Sequence, residues 1–182
     1  MPKKPQGTKG LVIVYTGSGK GKTTAALGIA LRAAGYKKKV LIVQFIKGSW
    51  DTGEINSIRR LSPEIELVRM GEGFVGIIDD QKEFKEHVLA AKRALAIARK
   101  AVISKKYSVV ILDEINYAVK GKLIKQQDVL DLIKMKNEKL HLVLTGNFAG
   151  PKVIAKADLV TEMKAVKHPY QKGIKAQRGI DY

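Results

Sequence analysis

The sequence predicts an α/β fold, a single domain with a mostly parallel central sheet covered by helices. Three observations carry that prediction. Short apolar runs of strand length alternate with longer segments of helical period along the chain. These runs are apolar at consecutive positions, the pattern of strands buried on both faces. The connections are short, with no internal repeat, low-complexity tract or linker. A length of 182 residues corresponds to about one domain and supports one substantial core. Residues 1–9, with two prolines and Lys3, Lys4 and Lys9, are read as a flexible basic arm, leaving 10–182 as the domain.

The first element is the strand-like run Leu11-Val-Ile-Val-Tyr15, and it leads into Thr16-Gly-Ser-Gly-Lys-Gly-Lys-Thr-Thr24. A helix-like segment, Ala25-Ala-Leu-Gly-Ile-Ala-Leu31, follows directly. A glycine-rich turn between a strand and a helix is built to hold phosphate, because consecutive backbone N–H groups and the helix N-terminus both face the anion. In that reading Gly17, Ser18, Gly19, Lys20 and Gly21 form the cradle, Lys22 reaches the phosphates, and the Thr23 and Thr24 hydroxyls close it, Thr23 on Mg²⁺. The usual P-loop spacing places glycine at position 16, where this chain has Thr16, so the loop is a shortened P-loop. The alternative is an ordinary glycine turn with surface lysines, against which stand the flanking strand and helix.

Val40-Leu-Ile-Val-Gln-Phe45 is read as a second buried strand, and Ile65-Glu-Leu-Val-Arg69 as a third. Between Asp79 and Lys105, Phe84, Val88, Ala91, Leu95, Ala98 and Val102 recur at steps of four and three, the stripe of one helix face. Asp79-Asp80 and Lys105-Lys106 complement the two ends of its dipole. Val109-Val-Ile-Leu112 is the next strand, then a helix over 126–136, a strand Leu140-His-Leu-Val-Leu-Thr145, and a final strand Ala157-Asp-Leu-Val-Thr161.

Composition narrows the classes of function. Without cysteine there is no disulfide, thiolate metal site or Cys nucleophile, and no run is long and apolar enough for a membrane span or signal peptide, so a cytoplasmic protein is expected. The 34 Lys and Arg against 17 acids give a formal charge of +17, which favours anionic ligands. The lysines are scattered, so a solvated basic surface is favoured over a nucleic-acid groove.

Asp113-Glu114 directly follow the apolar run Val109 to Leu112, where strand C-termini line a ligand crevice. They lie beside the phosphate loop if the two strands are neighbours. The pair reads as a carboxylate site for Mg²⁺, or as a helix cap. Lys20, Lys22, Mg²⁺ and Arg32 are the candidate cations for a triphosphate, with Arg32 readable also as a solvated helix residue. Trp50, in the loop Gln44-Phe-Ile-Lys-Gly-Ser-Trp-Asp-Thr-Gly-Glu54, reads either as a platform for a planar ligand or as local packing. Met70-Gly-Glu-Gly-Phe74 reads as a pocket flank or a turn. His87 and His141 are expected to be structural or exposed, and His168 has no second ligand at metal spacing.

Thr16 to Thr24, Val43-Gln-Phe-Ile-Lys-Gly48, Gly53-Glu54, Met70-Gly-Glu-Gly-Phe74, Leu112-Asp-Glu114, Leu144-Thr-Gly146, Ala157-Asp-Leu-Val160, Val166-Lys-His168 and Gly173-Ile-Lys-Ala-Gln177 together resemble the P-loop type of ATP:corrinoid adenosyltransferases. The shortened loop is that family's form. The resemblance implies a P-loop (RecA-like) three-layer fold and transfer of the 5′-deoxyadenosyl group of ATP to the Co(I) of a corrinoid, with triphosphate released. It implies that residues 17–24 hold the triphosphate, that Thr23 and Glu114, with Asp113 beside them, serve Mg²⁺, and that Phe74 presses on the lower corrinoid face. A homodimer and a reductase or flavodoxin-like electron donor are implied as partners. Two departures stand out. Gly73-Phe-Val-Gly76 lacks the second aromatic of the family's Gly-Phe-Thr-Trp, a role open to Trp50, and Asn147 replaces the arginine of Thr-Gly-Arg, a cation that Arg32 or Lys20 would have to supply. A P-loop ATPase or kinase and a basic ATP-dependent nucleic-acid binder are the competing classes.

Overall fold

The computed structural model describes residues 9–48, 51–75 and 82–182. Strand β1 (Val12–Thr16) runs into the glycine-rich loop and helix α1 (Lys22–Gly35), followed by β2 (Val40–Gln44), α2 (Gly53–Arg60) and β3 (Ile65–Arg69). Then come α3 (Phe84–Ile103), β4 (Val109–Asp113), α4 (Ile115–Lys120), α5 (Gln126–Met135), β5 (His141–Thr145), α6 (Pro151–Ile154) and β6 (Leu159–Glu162). A short 3₁₀ turn, Pro169–Lys172, follows. Residues 1–8 of the expected arm, Trp50, Gly76 and the pair Asp79-Asp80 lie outside the described residues.

The sheet order is β3-β2-β4-β5-β1-β6, and each pairing is parallel. Side chains alternate between its faces, as strand geometry requires. Leu41, Val43, Val110, Leu112, Leu142 and Leu144 join the core under α3, α4 and α5. Val40, Ile42, Val109, Ile111 and Val143 join a second core under α1 and α2. Both faces are therefore covered, which explains the continuous apolar runs and makes a three-layer unit. Leu142 is 0% exposed in the central strand β5. Leu142→Ala is expected to cost about 2–5 kcal/mol through lost transfer energy and an unfilled cavity, measured by urea unfolding.

The condition that β1 and β4 be neighbours is not met. Strand β5 lies between them, which separates β1 and β4 by about 10 Å. Helix α1 packs on β1, β5 and β4, and its N-terminus bridges the gap to the end of β4.

Helix α3 keeps the expected stripe, with Ala91, Leu95, Ala98 and Val102 buried, although Phe84 in its first turn is 51% exposed. Its start is a capping box in which the Glu83 backbone N–H donates to Glu86 Oε2 at 3.0 Å. Helices α2, α4 and α6 were not legible from apolar period, since α2 buries only Ile58 and α6 only Val153.

Candidate active site

The phosphate loop is held in place by the chain that follows β6. Gly19 N–H donates to the Met163 carbonyl at 2.7 Å, and Met163 N–H to the Thr16 carbonyl at 2.8 Å. A Cβ on Gly17 would lie 2.4 Å from the Met163 carbonyl oxygen, and one on Gly19 would lie 2.8 Å from it. Gly17 also has φ +97°, a left-handed conformation that strains any other residue. These two glycines are thus required by close approach of the protein's own backbone, a reason the sequence does not show. Thr16, where the usual motif has glycine, ends β1 and accepts from the Ala149 N–H at 3.2 Å through Oγ1.

Lys22 arches over the loop, its Nζ donating to the Gly17 carbonyl at 2.8 Å and the Gly19 carbonyl at 2.7 Å. Burial lowers its pKa, with Glu114 and Asp113 pulling the other way. Thr23 Oγ1 donates to Asp113 Oδ1 at 2.9 Å, and Thr145 Oγ1 donates to the same oxygen at 2.7 Å. The other oxygen, Oδ2, accepts from Gln44 Nε2 at 3.4 Å and lies 3.8 Å from Lys47 Nζ. Asp113 is 1% exposed, so this network is the hub joining β2, β4, β5 and α1.

Glu114 follows in the left-handed region at φ 61° and is the residue preceding α4; its N–H donates to Thr145 Oγ1 at 2.9 Å. Burial, reinforced by the Asp113 charge and opposed by Lys22 and Lys47, pushes its carboxyl up from 4.5 to about 7. The folded pKa is above the unfolded one, so the folded state holds the extra proton between pH 4.5 and about 7. Stability therefore falls as pH rises through that window, by up to about 3 kcal/mol. In metal-free buffer, Glu114→Gln is expected to gain stability relative to the parent as pH goes from 5 to 8. Urea unfolding at the two pH values measures this, and a pH-independent difference contradicts it.

Thr23, Asp113 and Glu114 offer the hard oxygen donors that Mg²⁺ requires, gathered at one end of the sheet. A carboxylate pair buried with its charge poorly compensated is the electrostatic counterpart of a divalent cation, and the residues fit that ion.

Other expected residues are placed as follows. Phe74 lies against Tyr117 of α4, edge to face at 5.0 Å between ring centroids. It thus packs against the helix that Glu114 precedes. Arg32 is in the last turn of α1 and exposed; ten residues of helix set it about 15 Å along the axis from Lys22. The structure does not bring it to the loop. Lys20 pairs with Asp181. Asn147 Oδ1 accepts from the Phe148 N–H at 2.8 Å. Buried His87 packs within α3, His141 Nδ1 accepts from Leu11 N–H at 3.2 Å, and His168 Nδ1 caps the 3₁₀ turn through Tyr170 N–H at 3.2 Å.

Residues that lie in the motifs of the resemblance but have no role assigned from sequence complete the site. Thr145 links Asp113 to Glu114, and Lys47 pairs with Glu54 at 3.2 Å. Although burial works against it, the Lys47 ammonium, with backbone and Thr52 hydrogen bonds, holds the Glu54 carboxyl below its usual range. The signal for Thr145 was a hydroxyl at the C-terminal end of an apolar strand, facing the crevice.

Residues 8–182 match the family model described as ATP:corrinoid adenosyltransferase BtuR/CobO/CobP. The chain belongs to this family. It is 38% identical to a corrinoid adenosyltransferase of Pseudomonas aeruginosa over 96% of this chain and 84% of that protein. It is 36% identical to the Escherichia coli K12 corrinoid adenosyltransferase over 97% of this chain and 88% of the relative. By family it is an enzyme, a transferase that uses ATP and a corrinoid. Among solved structures, the flagellar accessory protein FlaH of Methanocaldococcus jannaschii aligns at TM-score 0.55 and 12% identity, covering 84% of this chain and 70% of FlaH. The RadB recombinase aligns at 0.54 and 15% identity, covering 88% of this chain and 77% of RadB. At such identities these likenesses concern the fold alone, and they agree with a RecA-like P-loop architecture.

Proposed function

We propose that this adenosyltransferase grips the triphosphate of ATP in the loop of residues 17–24 as a leaving group, and that the bond broken is the one at the ribose 5′ carbon. The Co(I) of the corrinoid supplies the electron pair for the new cobalt–carbon bond, and the pair of the C5′–O bond leaves with triphosphate. The observation that carries this reading is the family match over residues 8–182, joined to a loop whose Lys22 ammonium already lies over the cradle. The protein's share of the chemistry is orientation of ATP and neutralisation of the departing charge. Lys22 and Lys20 donate to the phosphates, while Thr23, Asp113 and Glu114 hold Mg²⁺. That ion supplies positive charge to the triphosphate when bound. Identification of the phosphate product, tripolyphosphate or ADP with orthophosphate, tests the reading.

The corrinoid is assigned to the side of Phe74, whose ring stands against Tyr117 of α4, the helix that follows Asp113 and Glu114. Trp50 is proposed as a second aromatic there. Phe74→Ala is expected to slow reaction from cobalt(II) under a mild reductant roughly tenfold more than reaction from preformed cobalt(I), about 1.4 kcal/mol of selective loss. Pressing on the lower corrinoid face, Phe74 is proposed to help remove the axial base from cobalt(II) and so ease its reduction, and equal losses in the two assays contradict that role.

The same reading includes a homodimer, a cytoplasmic setting and a reductase or flavodoxin-like donor that delivers the electron for cobalt(II). Support for the dimer comes from the edge strand β6, whose Leu159 and Val160 are exposed, and from exposed Val166, Tyr170 and Ile174 beyond it. Among the described residues no helix is long and apolar enough to cross a membrane.

A further inference from the structure

The last residues of the chain fold back onto the phosphate loop. Asp181 pairs with Lys20 through Oδ1, while its Oδ2 accepts from the Gln177 N–H at 2.7 Å. Asp181 N–H returns a bond to the Gln177 carbonyl at 2.8 Å, and Gly179 N–H donates to the Tyr182 carbonyl at 2.7 Å. Gly179 supplies the left-handed residue, φ +81°, that lets this short turn close. Between the turn and helices α1 and α2 is a cavity of about 390 Å³, bounded by Thr23 and Thr24 of α1 and Glu54 of α2 on one side and by Ile180, Asp181 and Tyr182 on the other.

The packing of this turn is uneven. The Asp181 side chain is 15% exposed and directed into the site, whereas Lys20 is 49% exposed. Ile180 beside it is 79% exposed, so little apolar burial holds the turn down. Asp181 thus already satisfies the ammonium that the proposed function gives to the triphosphate. A phosphate brought to Lys20 would meet the like charge of the Asp181 carboxylate, and like charges a few ångströms apart repel strongly in a partly desolvated cleft.

We infer that residues 177–182 form a strap in which Asp181 acts as an internal anion, neutralising Lys20 in the nucleotide-free enzyme and giving way when triphosphate arrives. This rests on the assignment of the loop to triphosphate made above. The strap divides the enzyme between a closed state, with Lys20 engaged, and an open state that binds polyphosphate better. The apparent affinity is reduced by the fraction that is open.

Titration calorimetry with inorganic tripolyphosphate, on the full chain and its variants, tests the inference. Asp181→Asn keeps the acceptor for Gln177 N–H but removes the charge, and is expected to tighten binding roughly fivefold by enlarging the competent fraction. Asp181→Ala, which also removes the turn bond, is expected to move affinity in the same direction. The gain should disappear in a Lys20→Ala background, since the anion then has no cation to withhold. Equal or weaker binding by both Asp181 variants, with the parent still binding, overturns the strap and leaves the loop assignment standing. A gain that persists without Lys20 also overturns it. Failure of the parent to bind tripolyphosphate overturns both.

Discussion

Lys22→Ala is expected to lower kcat/KM for adenosyl transfer by about 10²–10³, the cost of removing one preorganised donor to a charge that develops in the transition state. The side chain is pinned across the loop by the Gly17 and Gly19 carbonyls, so its ammonium is in position before substrate arrives. Those bonds also compensate for its burial, which otherwise disfavours the charged form. Replacing it with alanine removes a partly desolvated charge along with its two acceptors' partner, and the two effects on folding oppose each other. Steady-state kinetics should therefore show a large loss while the thermal midpoint moves little. Unchanged kinetics would remove Lys22 from the triphosphate site.

Asp113→Asn is expected to be comparably damaging, with a loss of about 10²–10³ at fixed Mg²⁺ and a raised Mg²⁺ requirement. One oxygen of Asp113 accepts from both Thr23 and Thr145, and the other faces Gln44 and Lys47. Asparagine retains the volume and one acceptor, but directs an N–H₂ group at donors and removes the charge opposite Lys47. Asp113→Ala goes further by leaving the buried Thr145 hydroxyl without its acceptor, and is expected to cost an additional 2 kcal/mol or so in stability. Activity titrated against Mg²⁺ separates the roles. A purely structural Asp113 would leave the half-saturating Mg²⁺ concentration of the folded Asn variant unchanged.

The four inner strands were legible because each carries a local signal, an apolar run with both faces buried, whereas β6 at the edge is exposed along its whole length. Their order was not, since the insertion of β5 between β1 and β4 is a non-local choice. The role of Thr145, though the residue lies in a quoted motif, was not legible for this reason: its hydroxyl meets Asp113 only because β5 stands beside β4. Arg32 was drawn to the site by its charge, while helix geometry carries it away from the loop. Lys47 and Glu54 meet across the start of α2, a helix with one buried residue and hence no period to read. Asp181 reaches Lys20 only because the final segment turns back, which no pattern near either residue discloses. The glycine-rich turn between β1 and α1 was legible, but two of its glycines answer to the close approach of Met163, which the motif does not disclose.

The central claim, that triphosphate leaves as one unit from the ribose carbon, is tested most directly by the products formed from MgATP and chemically reduced cobalamin under anaerobic conditions. A light-sensitive alkylcobalamin spectrum is expected, with one tripolyphosphate released per cobalt alkylated. ADP and orthophosphate, with cobalamin left unalkylated, would contradict it.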